Sequence, residues 1–191
     1  MKQVITILAF ISVSTIITAQ KPGDFRGFSW GNSINQVQSS EKSKFILKDK
    51  DDALEYQDQL AGSDCSVIYT FNDNDKLING VYVFTKNYSN SQLYVQDYNK
   101  FKDLLTKKYG KSKSEKENWG SNLQLIDKER YGQAIADGKL NLNSDWETAS
   151  SLIKIELVGV SSKPSLRIHY TTKTLNEMES KEQLELALGK L

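Results

Sequence analysis

Apolar and polar residues alternate with a period of two through much of the chain. Cys65, Val67, Tyr69 and Phe71 fall on one side of an extended segment, and a second extended run spans Leu77 to Thr85. Asn72-Asp73-Asn74-Asp75 between them is turn chemistry, so the pair is predicted to form a β-hairpin. Leu152 to Val158 and Leu166 to Thr171 repeat the pattern around Gly159-Val160-Ser161-Ser162-Lys163-Pro164 and predict a second hairpin. Shorter strands are expected at Ala53 to Gln57 and, on an edge, at Phe45-Ile46-Leu47. The period changes at Tyr94, Tyr98, Phe101, Leu104, Leu105 and Lys108, whose spacing of three and four predicts a helix ended by Gly110. A shorter helix, to about Glu41, is announced by the capping box Ser33-Ile34-Asn35-Gln36. Lys111 to Asn118 reads as a charged loop. From Trp119 to Trp146 the pattern is mixed: Leu123, Leu125 and Leu140, Leu142 alternate as strands do, around a stretch from Lys128 to Asp137 that suits a helix. A charged helix with a seam of Leu184, Ala187, Leu188 and Leu191 is predicted from Thr174.

This order implies an α+β fold in which an antiparallel sheet of hairpins packs against two or three helices. The layout resembles a tandem arrangement with halves 25–90 and 91–191, without residue-level self-similarity between them. Ahead of it, Lys2, the apolar run Val4 to Ile11 and the small residue Ala19 have the form of a secretory signal peptide, residues 1–19. Ser12, Ser14, Thr15 and Thr18 interrupt the run, which is shorter than a spanning helix needs. The expectation is an exported protein, periplasmic or secreted. It would comprise a single domain, residues 20–191, with no transmembrane segment once the signal is removed.

Charge narrows the classes of partner. Of 25 basic and 24 acidic residues, only Lys2 lies within the signal, so the exported chain carries 24 of each. A nucleic-acid partner calls for a basic excess that is missing here. The one cysteine, Cys65, has no partner for a disulfide and sits on an apolar strand face, where it reads as a small buried residue. Lying far from the signal, it offers no lipid attachment point.

Few residues suggest chemistry. Gly27-Phe28-Ser29-Trp30-Gly31 fits the G-x-S-x-G nucleophile elbow, and Asp145 and His169 follow in the order a hydrolase triad would use. Yet only about nine residues of exported chain precede Ser29, too few for the interior strand and oxyanion loop that motif requires. His169, the only histidine, shares a strand face with Arg167 and Thr171, opposite Leu166, Ile168 and Tyr170. One Cys and one His exclude the usual zinc spacings, and Asp73-Asn74-Asp75 lacks the glycine and the later ligands of a calcium loop. No phosphate loop or dinucleotide fingerprint occurs, so no cofactor is expected. The strand Leu77 to Thr85 is apolar on both faces, Val81 and Val83 on one and Tyr82 and Phe84 on the other. Either both faces are covered or one meets a partner. Tyr82, Phe84, Arg167 and His169 are the candidate binding residues.

Phe25-Arg26-Gly27-Phe28-Ser29-Trp30-Gly31-Asn32-Ser33 with Val37, then Tyr69-Thr70-Phe71, Leu77, Trp146-Glu147-Thr148, Ile153 and Ile155, resembles a group of uncharacterised exported bacterial proteins. That resemblance covers most of the exported chain and implies no activity. A helix followed by hairpin strands is also distantly similar to the modules of β-lactamase inhibitor protein and of small outer-membrane assembly lipoproteins, the latter departing from this chain in their lipid-bearing cysteine. The expected function is non-enzymatic binding of an envelope or extracellular protein or polymer. The alternatives are a secreted hydrolase using Ser29 and His169 or a carboxylate pair, and a structural envelope component. If the signal reading holds, N-terminal sequencing of exported material finds Gln20 or an immediate neighbour; an intact Met1 refutes it.

Overall fold

The computed structural model describes residues 23–48, 53–120 and 127–174. Each run of alternating apolar residues has one dry face that needs a covering layer, and the chain meets that need with a single sheet. Its eight antiparallel strands are β1 (Lys44–Lys48), β2 (Ala53–Leu60), β3 (Ser63–Phe71), β4 (Leu77–Phe84), β5 (Ser114–Trp119), β6 (Leu140–Glu147), β7 (Ser151–Val160) and β8 (Lys163–Thr172). They lie in the order β1-β2-β3-β4-β8-β7-β6-β5, an open sheet in an α+β fold. Each half is a four-strand meander preceded by a helix, α1 (Ile34–Ser40) or α2 (Gln92–Tyr109). Among the described residues the two meanders pair with each other only through β4 and β8. A 3-10 turn at Lys128–Arg130 and α3 (Tyr131–Ala136) connect β5 to β6.

The pairing register sends one set of side chains to a common face. Leu54, Tyr56, Cys65, Val67, Tyr69, Tyr82, Ile168, Tyr170, Ile153, Ile155, Leu142 and Trp146 all lie there, and all are buried. The α2 residues Tyr94, Val95, Tyr98, Phe101 and Leu105 cover it, with Ala134 and Ile135 of α3 and Ile34 and Val37 of α1. The capping box forms as expected, Ser33 Oγ accepting from the Gln36 amide and the Gln36 side chain from the Ser33 amide. Burial pushes the Cys65 thiol up to about 11, in keeping with a structural rather than a reactive cysteine.

Residues 24–33 clasp the two meanders together. Phe25 and Phe28 exchange backbone hydrogen bonds across a two-residue turn, in which Arg26 (φ 52°) and Gly27 (φ 87°) are both left-handed. Glycine takes that geometry freely; arginine does so at about 1–2 kcal/mol. The turn drives Phe25 into the core, its ring 5.3 Å from that of Tyr69 on β3, 5.1 Å from Tyr82 on β4 and 5.1 Å from Tyr170 on β8. The ring lies flat against Gly80 of β4, where a Cβ would stand 2.2 Å from Phe25 Cδ1. The Trp30 indole reaches β7, donating to Ser151 Oγ at 2.9 Å, and Asp24 accepts from the Ser150 hydroxyl. The Gly31 amide and the Asn32 carbonyl bond Leu77 at the start of β4.

Several expectations need correction. Lys111 to Asn118 is not simply a loop: Ser114–Trp119 is the edge strand β5, held by backbone pairing to β6 while its side chains remain largely exposed. Charged edges of this kind carry no alternation to read. The second hairpin turns in two residues, Ser161 (φ 49°) and Ser162 (φ 64°), so that Gly159 and Pro164 belong to paired strands. Leu104 faces solvent, off the buried stripe of α2. Leu123, Leu125, the signal segment and the closing helix lie outside the described residues, whereas Lys128 to Asp137 is helical as expected.

Phe25→Ala should cost about 3–5 kcal/mol of stability through the cavity it leaves at the seam, and Gly80→Ala about 1–3 kcal/mol through overpacking. Because the new Cβ would occupy the place of the ring, Gly80→Ala should cost far less in the Phe25→Ala background. Urea denaturation of the double-mutant cycle checks this.

Candidate functional site

All the described helices cover one face of the sheet, and among the described residues no helix lies on the other. Register builds that open face as rows running across the strands. One row reads Leu47, Glu55, Ile68, Val81, His169, Lys154, Asp145, Ser114 from β1 to β5. The next reads Gln57, Ser66, Val83, Arg167, Glu156, Asn143, Lys116 from β2 to β5. The rows divide the face chemically. On β3 and β4 its centre is apolar or neutral, with Ile68, Val81, Val83, Ser66 and Thr70, and Asp64 stands at the far end of β3. On β8, β7 and β6 it is charged.

The charged half centres on Glu156. His169 Nε2 lies 3.1 Å from its Oε1 and Lys154 Nζ 2.7 Å from its Oε2, while Arg167 stands opposite it in the register. The hydrogen bond with His169, helped by Lys154, outweighs burial and holds the Glu156 carboxyl down at about 2. A shallow concavity of about 450 Å³ opens beside this cluster, bordered by Asp145, Leu152, Lys154, Glu156, His169 and Thr171. Glu156, His169 and Lys154 are partly exposed, so they present a fixed pattern of charge to whatever meets the face.

The residues singled out in the sequence separate into two groups. Arg167 and His169 lie together on the open face. Tyr82 and Phe84 point the other way: Tyr82 is 7% exposed beneath the clasp, and Phe84 packs on Phe101 of α2 at 4.2 Å. The aromatic side of β4 therefore packs on the core; on the opposite side Val81 is itself buried at 8% and Val83 is partly exposed. Ser29 lies between Phe28, whose ring meets Tyr69, and Trp30, whose indole meets Ser151, both on the helix side. The sheet stands between Ser29 and the His169 ring, and the structure does not bring them together. Glu156 is the hydrogen-bond neighbour of His169 that the sequence reading missed. Reading Ser161-Ser162 as the turn would have set it beside His169.

A second polar cluster is built into the helix side. Arg26 binds Glu41 through Nε at 3.1 Å and Nη2 at 3.2 Å, and also reaches Ser43 at 2.8 Å and Asp58 at 2.6 Å. The Tyr69 hydroxyl donates to Glu41 as well. Burial alone would raise the Glu41 carboxyl, but the bonds from Arg26 and Tyr69 prevail and bring it to about 2. These contacts tie the clasp to β2 and β3 and hold the arginine in its left-handed conformation. A larger cleft of about 600 Å³ between α2 and strands β5 and β6 is lined by pairs that satisfy one another, Tyr98 with Ser144 at 2.8 Å, Lys102 with Glu115 at 3.0 Å and Tyr131 with Glu117 at 2.8 Å. Among the described residues, no three His, Cys, Asp or Glu side chains are grouped to hold a metal ion, and no helix is long and apolar enough to cross a membrane.

Comparisons with protein-family models, with curated proteins and with solved structures find no match to this chain.

Glu41 and Glu156, the two most buried of the carboxyls held low, contribute to the response to acid. Both carboxyls sit below their ordinary value of 4.5, so the stability they contribute is complete above that value and is lost as the pH falls toward 2. Urea midpoints should drop between pH 4.5 and 2, and Glu41→Gln should flatten that drop while lowering stability at neutral pH, because Arg26 then keeps only one of its two carboxylate partners, Asp58.

Proposed function

We propose that this is an exported, non-enzymatic binding protein of the bacterial envelope, periplasmic or secreted, that docks a partner on the open face of its sheet. The observation that carries the reading is the division of that face: an apolar centre, partly exposed at Ile68 and Val83 with Val81 buried beside them, lies next to the ordered charges of Arg167, Glu156, His169 and Lys154. A dry patch beside fixed polar groups suits the core and rim of a protein interface. The partner is a protein rather than a polysaccharide. A sugar ring stacks on an aromatic platform, and the rows of the open face, among the described residues, contain no Trp, Tyr or Phe. The backbone there is held by pairing on both sides along β3, β4, β8, β7 and β6, so the surface is preformed and binding costs little ordering. Glu156 serves as a positioning residue, holding His169 and Lys154 in place.

Photo-crosslinking in producing cells tests the reading. A photoreactive amino acid in place of Ser66 or Asn143 on the open face should give discrete protein adducts, and one in place of Lys107 on the exposed side of α2 should not. Adducts at Lys107 alone, or none at either open-face position, would overturn it.

A further inference from the structure

The outward residues of β7 read Leu152, Lys154, Glu156, Val158, two apolar residues enclosing a cation and an anion, and all four are partly exposed. Turned end for end, that order matches itself: leucine falls on valine and lysine on glutamate. The neighbouring strands share the property, because register places their outward residues in the same rows. On β4 Val81 falls on Val83, on β8 His169 falls on Arg167 and Thr171 on Ser165, and on β6 Asp145 falls on Asn143. The open face is thus self-complementary about a line that crosses the strands between Lys154 and Glu156. Other placements of the line lose the match. Moved one residue along the strands, it sets Lys154 against Lys154 and Asp145 against Asp145, or Glu156 against Glu156 and Arg167 against Arg167. Laid parallel to the strands between β7 and β8, it sets Val81 against Asp145.

We propose that the partner docked on the open face is a second copy of this chain, the two sheets stacked face to face about a two-fold axis along that line. The inference rests on the reading of the face as a docking surface and names its occupant. A two-fold interface requires one patch to complement itself, a condition that a surface for an unrelated protein has no reason to meet. Stacked sheets lie about 10 Å apart, the depth of two facing layers of side chains. At the axis, Lys154 of each copy meets Glu156 of the other. Within one chain Lys154 Nζ already stands 2.7 Å from Glu156 Oε2, so the four side chains close into a ring of alternating charge in which each ion has two opposite neighbours. Leu152 against Val158 flanks that ring on both sides, and on β4 Val83 of one copy covers Val81 of the other. The Glu156 carboxylate can only accept, so His169 donates to it through Nε2 and keeps Nδ1 to accept from the facing Arg167. No acid faces an acid in these pairs, and no lysine or arginine faces another, which is the juxtaposition that costs most in an interface.

Sedimentation velocity of the exported protein and its charge-swapped variants tests the proposal. The wild type should pass from monomer to dimer as concentration rises, with half-association at or below about 100 μM. Lys154→Glu sets acid against acid twice across the axis, and Glu156→Lys sets lysine against lysine twice, so each variant alone should associate about ten-fold or more weakly. Mixed in equal amounts, the two variants oppose glutamate to lysine at both contacts and should form a dimer as strong as the wild type. The same changes of net charge on the helix side, Lys107→Glu and Glu129→Lys, should leave dimerisation as it was. Val83→Lys, which spares the ring of charges, should also dissociate the dimer and keeps the proposal open to refutation if a charge swap unfolds the protein. A wild type that is monomeric up to about 1 mM, single swaps that dimerise normally, or a mixture of folded variants that does not recover would overturn it. In the crosslinking experiment the adduct at Asn143 should have twice the mass of the protein. A monomer whose open-face adducts contain another protein would sink the second copy and leave the docking face standing, whereas a monomer without adducts would remove both.

Discussion

One aromatic ring sits where the two halves of this protein meet. The meanders β1–β4 and β5–β8 each pair within themselves, and their shared boundary is the ladder between β4 and β8. Phe25 lies over that boundary, touching Tyr69 and Tyr82 on one side and Tyr170 on the other, and reaches it because Gly80 lacks a Cβ. A backbone ladder alone leaves two sheets free to twist against each other. A buried ring in contact with three tyrosines fixes their relative angle, and the rows of the open face depend on that angle because they run across the boundary. The apolar half, Ile68, Val81 and Val83, belongs to the first meander, and the charged half, Arg167, His169, Lys154 and Glu156, belongs to the second.

The clasp also explains the most suggestive motif in the chain. Gly27 and Gly31 are both left-handed, and Ser29 lies between two aromatic residues that the clasp plants on opposite halves of the sheet, Phe28 on Tyr69 and Trp30 beside Ser151. The glycines serve turns. Arg26 pays for its own strained backbone with four hydrogen bonds, two of them to a carboxylate that is nearly buried. What reads as a nucleophile elbow in one dimension is a fastening in three.

Much of the architecture is legible in the sequence because it follows from local periodicity: the hairpin at Asn72–Asp75, the capping box at Ser33 and Gln36, and the stripe Tyr94, Tyr98, Phe101, Leu105. What escapes has one cause, that its structure is imposed by neighbours. Ser114–Trp119 is a strand because β6 lies alongside it, not because its side chains alternate. The two faces of β4 are equally apolar in sequence, and the position of α2 and the clasp makes Tyr82 core and leaves Val83 outside. Glu156 and His169 lie thirteen residues apart and meet across the second hairpin, which the sequence predicts, but its two turn residues are serines and do not announce the register that brings them together. The candidate binding face was half legible, in Arg167 and His169, since strand alternation places them but says nothing of what lies across the sheet.

The fastening joins parts of the chain that are made far apart in synthesis. Asp24 and Trp30 bond Ser150 and Ser151, more than 120 residues later, and Phe25 contacts Tyr170 on β8. Each meander is local and is able to assemble as it emerges, because its strands are joined in sequence order. Closure is not: the first described residues have no complete seat until β8 has been made and paired with β4. Until then the aromatic residues at the front of the chain are exposed and β4 is an edge, the condition in which a partly made sheet is most prone to pair wrongly. A protein fastened in this way therefore commits to its final shape late and all at once, and the open face of its sheet exists only from that moment.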